Sequence, residues 1–326
     1  MIFNAYRLLK ESGVSRGRLI KTTLDELDSG DLVVKTAYAG VNFKDALAAT
    51  GRAPIIRRFP CIGGIEAVGE VVESGSDAYQ PGDAVILHGR GLGVSHDGGF
   101  SEYVRVPADW AVPLPTGLNM QEAATLGVAG HTAAVAIDLM ELNGLTPERG
   151  TVAVTGATGG VASLSIDMLS GLGYEVAAVS RKTESHSYLR SLGARQVITA
   201  PASDALAKPL ESAQWAGAVD TAGGHLLAWL LRTMAPNGTV ACFGNAAGIE
   251  LHTTVLPFIL RGVRLLGVNA DTAPDYRRQV WARLAGDLKP RHLAVIATSI
   301  TLDELPRVCE LMADGRTSGR YVVGFQ

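Results

Sequence analysis

The stretch Gly150–Ala162 constrains this chain more than any other. Thr151–Thr155 is uncharged, with an apolar centre and four β-branched residues, as suits a strand buried on both faces. Gly156-Ala157-Thr158-Gly159-Gly160 follows, and Val161 opens a helical pattern. A parallel strand delivers such a turn to the carboxyl edge of a sheet. The glycines admit a tight turn and close approach of a pyrophosphate. The following helix offers unpaired N–H groups and a positive dipole end. Ala162 stands at the third fingerprint position, where helix–strand packing tolerates alanine.

A lone glycine turn would be an ordinary βα connection. Here it begins an alternating array. Strands are predicted at Thr151–Thr155, Glu175–Ser180, Gln196–Thr199, Gly217–Thr221, Thr239–Phe243 and Arg264–Val268. Helical stretches between them include Val161–Leu172, Ser185–Leu192 and Leu226–Met234. This alternation predicts an α/β fold, a Rossmann doubly wound parallel sheet with helices on both faces. An Ala-rich helix, Glu122–Leu142, precedes it and ends at Asn143-Gly144.

Before residue 120 the pattern is different. Short β-like runs such as Asp31–Ala37, Ala67–Val72, Asp83–Leu87 and Ser101–Val106 are separated by Gly, Pro and Asp. They predict a compact, barrel-like β domain. Gly89-Arg90-Gly91-Leu92-Gly93 lies between two such runs and reads as a loop, since no helix follows. A helix is predicted around Tyr276–Asp287. Near the C-terminus, Val295–Ile300 and Tyr321–Val323 flank a helix at Leu302–Asp314, which suggests a return to the first domain.

The 326 residues suit two domains. A net charge of -3 gives no basic field for nucleic acid or an anionic membrane. Cys61, Cys242 and Cys309 are too few and too scattered for a disulfide scaffold or a zinc spacing. No signal segment and no membrane span is expected, so the chain reads as soluble and cytoplasmic.

The second strand ends at Ser180-Arg181-Lys182. An acidic residue there would hydrogen-bond the adenine ribose hydroxyls of NAD. A hydroxyl and two cations suit the ribose 2′-phosphate instead, so the expected cofactor is NADPH.

Several segments together carry a family likeness: Val41–Leu47, Thr50-Gly51-Arg52, Ile55–Pro60, Gly130–Ala133, Val154–Val161, Ser187–Ala194, Trp215–Thr221, Pro257–Leu265 and Gly319-Arg320. The chain resembles the zinc-free branch of the medium-chain dehydrogenase/reductase superfamily, in its quinone oxidoreductase YhdH / acrylyl-CoA reductase group. The resemblance implies a GroES-like β-barrel catalytic domain, residues 1–123 and 292–326. It implies a Rossmann NADPH-binding domain at 124–291, an active site in the cleft between them, and a homodimer joined through the Arg264–Val268 sheet edge. Where zinc relatives carry Cys, a His–Glu pair and a third ligand, this chain has Asn42, Ile65-Glu66 and Val128, so no metal is expected.

By resemblance, Asn42, Phe43 and Asp45 line the nicotinamide end as catalytic residues. Relatives often carry Tyr where this chain has Phe43, which leaves the proton donor open among water, Lys44 and Asp45. Thr132, Thr158, Gly159, Gly160, Val161, Thr221, Asn245 and Asn269 are expected at the cofactor with Phe43, Ser180, Arg181 and Lys182. Arg320 is expected to meet the cofactor or an acyl substrate. Arg52, Arg57 and Arg58 form a basic group suited to the phosphates of a CoA thioester.

The implied chemistry is metal-free hydride transfer from NADPH to a small-molecule acceptor: an enoyl thioester such as acrylyl-CoA, an enone, or a quinone. A reading of another class is a non-catalytic NADPH-binding sensor.

Overall fold

The structure is a computed structural model and describes residues 1–200, 202 and 208–325. It resolves into two compact units, which are taken in turn below.

The first unit comprises Met1–Ala129, Asp271–Ala285 and Leu293–Gln326. Its leading strands are β1 (Ile2–Glu11), β2 (Val14–Thr23), β3 (Leu32–Val41), β4 (Cys61–Ile62), β5 (Glu66–Ser74), β6 (Ala84–His88), β7 (Tyr103–Val106) and β8 (Ala111–Pro113). β2-β1-β4 form one small sheet. Helix α1 (Phe43–Thr50) follows β3. Asn42 and Asp45 form its capping box, and Gly51 ends it in the left-handed region at φ 71°.

Helix α2 (Met120–Leu142) belongs to the first unit up to Ala129 and to the second from Gly130. It is broken at Gly127, whose φ of 47° and ψ of -148° are not helical. By length and composition α2 passes as a membrane span. However, 83% of its apolar window is buried inside the fold, as in a core helix.

The second unit comprises Gly130–Ala270 and Gly286–His292. Its strands are β9 (Val152–Val154), β10 (Val176–Val179), β11 (Gln196–Ile198), β12 (Trp215–Asp220), β13 (Met234–Cys242) and β14 (Arg264–Gly267). They pair in parallel in the order β11-β10-β9-β12-β13-β14. That is the doubly wound order, with its reversal between β9 and β12. Every residue of β9, β10 and β12 is buried, as expected for strands covered on both faces. Helices α3 (Gly160–Gly171), α4 (His186–Ser191), α5 (Gly224–Thr233) and α6 (Leu256–Arg261) connect them. All six predicted strands are present, with ends shifted by up to five residues.

The chain then returns to the first unit through α7 (Pro274–Ala285), α8 (Leu293–Ile296), β15 (Ala297–Ile300), β16 (Arg320–Gly324) and α9 (Leu305–Ala313), which lies between these two strands. The large sheet runs β15-β16-β3-β5-β6-β8, with β7 also on β3. The division departs from the expected boundaries: the first cut falls at Ala129/Gly130 and not after residue 123, the last at His292/Leu293, and one segment changes unit. Asp271–Ala285 groups with the β unit, because Arg277 Nη1 donates to His88 O at 3.0 Å and Trp281 Nε1 donates to His88 Nε2 at 2.9 Å.

Candidate active site

Each unit presents one constellation that matters for function. In the first unit it is built around Glu66 and Arg320, both 2% exposed and paired at 2.5 Å. A buried charge pair survives only when its remaining donors and acceptors are satisfied. The break in α2 meets that need. Where the helix stops, Thr125 O accepts from Arg320 Nε at 3.0 Å and Ala124 O accepts from Nη2 at 3.4 Å. Where it restarts, the Val128 N–H donates to Glu66 Oε2. The cation thus meets a helix carboxyl end and the anion a helix amino end, the favourable sense for both dipoles. Gly127 has to be glycine here. Its φ is left-handed, and a Cβ would stand 2.2 Å from Glu66 Oε1.

Arg320 Nη1 also donates to Val41 O at 3.1 Å and to Asn42 Oδ1 at 3.0 Å. That fixes the Asn42 amide, whose Nδ2 is buried with no hydrogen-bond partner among the described residues. Asp45 accepts from the Asn42 N–H at 2.9 Å and the Ile65 N–H at 3.1 Å. Burial pushes the Asp45 carboxyl up to about 7, and the nearby Glu66 pushes the same way, against those hydrogen bonds. Phe43, in the first turn of α1, is 39% exposed.

The second constellation surrounds the glycine loop. Gly159 N–H donates to Gly156 O at 2.8 Å, and α3 begins at Gly160. Thr158 is buried, whereas Gly159 is exposed and Gly160 and Val161 are half-buried at the helix start. Below the loop, Thr155 Oγ1 donates to Asp220 Oδ1 at 2.7 Å and accepts from the Thr221 N–H at 3.0 Å. Thr221 Oγ1 donates to Thr155 O at 2.8 Å, so β9 and β12 are tied at their carboxyl ends. Asp220 further accepts the Gly223 N–H at 2.9 Å, and burial raises its pKa.

Ser180, Arg181 and Lys182 follow β10 directly. Ser180 Oγ accepts the Lys182 N–H at 3.1 Å, which builds the turn and leaves Arg181 exposed. Asn245 and Asn269 are exposed beyond β13 and β14, and Thr132 is buried in the second half of α2. The fold therefore gathers Thr158, Gly159, Gly160, Val161, Ser180, Arg181, Lys182, Thr221, Asn245 and Asn269 at the loop-bearing ends of one sheet.

Arg320 has all three of its nitrogens hydrogen-bonded within the β unit. The three arginines expected to act together do not share one setting. Arg52 pairs with Asp314 at 2.6 Å, Arg58 pairs with Asp28, and Arg57 is exposed. The Glu66–Arg320 pair and the Thr155–Asp220 tie were not foreseen. A glycine in the middle of the Ala-rich helix was the one local signal for the first.

Two family models match the chain: the alcohol dehydrogenase GroES-like domain over residues 28–116, and the zinc-binding dehydrogenase domain over residues 160–286. The putative quinone oxidoreductase YhfP of Bacillus subtilis is 44% identical over 93% of both chains. Its crystal structure with NAD bound superposes with a TM-score of 0.96 at 42% identity, covering 100% of each chain. Acrylyl-CoA reductase AcuI of Ruegeria pomeroyi is 41% identical over 99% of both chains. The yhdH oxidoreductase of Salmonella enterica, in complex with NADP, gives a TM-score of 0.96 at 41% identity, covering 99% of this chain and 100% of that one.

One of those models implies zinc, and the donor set here does not fit it. Glu66 already faces a guanidinium, Asn42 Oδ1 accepts from the same guanidinium, and Val128 offers an N–H donor. The glycine loop fits a dinucleotide. Gly156 has φ 57°, and Gly244 lies so close to Thr221 that a Cβ would stand 1.8 Å from its carbonyl oxygen.

Proposed function

The chain belongs to the medium-chain dehydrogenase/reductase family, in its quinone oxidoreductase and acrylyl-CoA reductase group, and from that premise we propose that it is an NADPH-dependent reductase of an activated C=C bond in an enoyl thioester or enone, or of a quinone. The observation that carries this reading is Asn42. Its amide is oriented by Arg320, and its buried Nδ2, at the start of α1 beside Asp45, makes no hydrogen bond of normal geometry among the described residues. A preorganised donor of that kind stabilises the oxygen on which charge develops as a conjugated carbonyl accepts a hydride.

Bound NADPH supplies the hydride. The loop Thr158–Val161 and the start of α3 hold the pyrophosphate. Arg181 and Lys182, with Ser180, grip the ribose 2′-phosphate. Thr132, Thr221, Asn245 and Asn269 complete the cofactor site. Phe43 offers an apolar face to the nicotinamide, and Arg320 acts as a positioning residue through Asn42. Asp45 is closed to solvent and both its oxygens accept backbone N–H groups, so it holds the α1 cap and the transferred proton comes from water or Lys44. A homodimer forms through β14, which is an edge strand of the six-stranded sheet. The protein works in the cytoplasm.

The test is NADPH oxidation, followed by loss of the reduced nicotinamide absorbance, against acrylyl-CoA, short enones and quinones. Turnover of an enoyl thioester or enone that falls at least tenfold in Asn42→Ala supports the assignment. Tight NADPH binding without turnover of any acceptor overturns it in favour of a sensor.

A further inference from the structure

Not every arginine in the first unit has a carboxylate of its own. Arg52 and Arg58 do, on the surface. Arg90 and Arg277 stand close enough for the Arg90 charge to help burial lower the Arg277 pKa, and among the described residues the one carboxylate paired with either is Asp271, at 2.9 Å from Arg277. Asp271 is 52% exposed while Arg277 is 2% exposed and Arg90 half-buried, so the Asp271 charge is screened by water more than that of Arg277. Arg277 uses Nη1 on His88 O and Nη2 on Asp271 and Thr272 O. Among the described residues its Nε is buried with no hydrogen-bond partner, and so is the Nε of Arg90. Two buried guanidinium N–H donors on adjacent cations, both unmatched, are costly unless something anionic meets them.

The backbone there is also unusual. Arg90 has φ 55° between Gly89 at 77° and Gly91 at 88°. A residue with a Cβ held in the left-handed region is strained, and such strain persists where surrounding structure imposes it. Gly89 packs so closely that a Cβ would stand 3.0 Å from Asp271 Oδ1 and 3.1 Å from Arg277 Nη2. The position in the fold is informative too. Glu66 pairs with His88 in the β5–β6 register. Arg90 therefore follows, by two residues, the strand end level with the Glu66–Arg320–Asn42 constellation.

We propose that Arg90 and Arg277 form an oxyanion-binding subsite in the β unit, so that the acceptor carries a carboxylate or a phosphate besides its reducible bond. This rests on the reading that the unit receives the acceptor through Asn42. Guanidinium groups bind either oxyanion through charge-assisted hydrogen bonds. A carboxylate would belong to a keto-acid or dicarboxylate skeleton, a phosphate to a thioester carrier or a phosphorylated acceptor.

Binding and turnover are measured separately. Succinate and inorganic phosphate are titrated into the NADPH-loaded protein and into its Arg90→Gln and Arg90→Lys variants, with intrinsic tryptophan fluorescence as readout. Trp281, bonded to His88, is the reporter beside the site. Saturable succinate binding weakened at least tenfold in Arg90→Gln and partly restored in Arg90→Lys supports a carboxylate subsite. The same pattern with phosphate supports a phosphate subsite. Binding of neither by the unmodified protein, or equal binding by Arg90→Gln, overturns the proposal. In parallel, kcat/KM is compared for an α,β-unsaturated keto acid and its methyl ester. The acid-to-ester ratio falls at least tenfold in Arg90→Gln. An unchanged ratio counts against the subsite. Absent turnover with anion binding intact would sink the reductase reading and leave the subsite standing.

Discussion

The two units bury charge in opposite ways. The β unit encloses a complete ion pair, Glu66 with Arg320, surrounded by carbonyls, an amide and an N–H. At its loop, the nucleotide-binding unit buries a single carboxyl, Asp220, met by the Thr155 hydroxyl and by backbone N–H groups. The difference follows from what each must do. The ion pair fixes Asn42 in one orientation before any ligand arrives. The hydrogen-bond network around Asp220 ties β9 to β12 beneath the loop and leaves the helix N–H groups of α3 for a phosphate.

The most severe way to break this comparison is Glu66→Ala. It strands a buried guanidinium and is expected to cost about 3–5 kcal/mol. Asp220→Asn keeps the shape and one oxygen acceptor and is expected to cost about 1 kcal/mol. Urea unfolding of the two variants, with hydrogen exchange to assign the loss to each unit, measures both. Replacing Glu66 and Arg320 together by methionine should recover most of the stability and abolish the orientation of Asn42. Equal costs for the two single variants would remove the distinction.

Next in size is a pH effect from Asp45. Its folded pKa of about 7 lies well above the ordinary aspartate value of about 3.8. The folded state therefore holds this proton in a range where the unfolded state has lost it. Stability from this group is complete below about 3.8 and is lost as pH rises towards about 7, by up to about 1.4 kcal/mol per pH unit. Burial raises Asp220 in the same direction. Subtracting the pH–stability curve of Asp45→Asn from that of the unmodified protein should leave a downward slope confined to that window. A flat difference would mean that the carboxyl is not closed off from water.

Smaller again is the cofactor preference. Arg181 is exposed at the turn after β10. Arg181→Ala should weaken NADPH binding by about 1.5–3 kcal/mol, the scale of a hydrogen bond to a charged group. NADH binding should be barely altered. Calorimetric dissociation constants for the two cofactors decide it, and parallel loss of both would reassign Arg181 to structure.

The two units also differed in how much their sequences disclosed. The parallel sheet was legible because burial on both faces writes continuous apolar runs, and because strand, glycine turn and helix start are contiguous at Thr151–Val161. The start of β13 was less legible, since Met234 pairs with Trp215 ahead of a register shift that no local pattern reveals. The constellation in the β unit was legible only through family likeness. Asn42, Glu66 and Arg320 are separated by up to 278 positions, and what joins them is the break at Gly127 and the return of β16 beside β3. Arg277 was hidden for the same reason, since its helix follows the nucleotide-binding sheet in sequence yet hydrogen-bonds His88 of β6.

The finest test separates two demands made on one glycine. Gly156 has φ 57°, and a Cβ there would stand 2.4 Å from Thr221 Oγ1. Gly156→Ala therefore incurs backbone strain of about 1–2 kcal/mol and also displaces a hydroxyl that donates to Thr155 O at 2.8 Å. In a Thr221→Ala background the second demand disappears while the first remains. The double-mutant cycle should return a coupling of about 1 kcal/mol, the worth of that hydrogen bond, read from thermal unfolding and again from the NADPH dissociation constant. Coupling in stability but none in NADPH affinity would mean that the tie between β9 and β12 holds the sheet without shaping the loop. Coupling in both would show that the hydroxyl and carboxyl network of this unit does for the phosphate site what the Glu66–Arg320 pair does for Asn42.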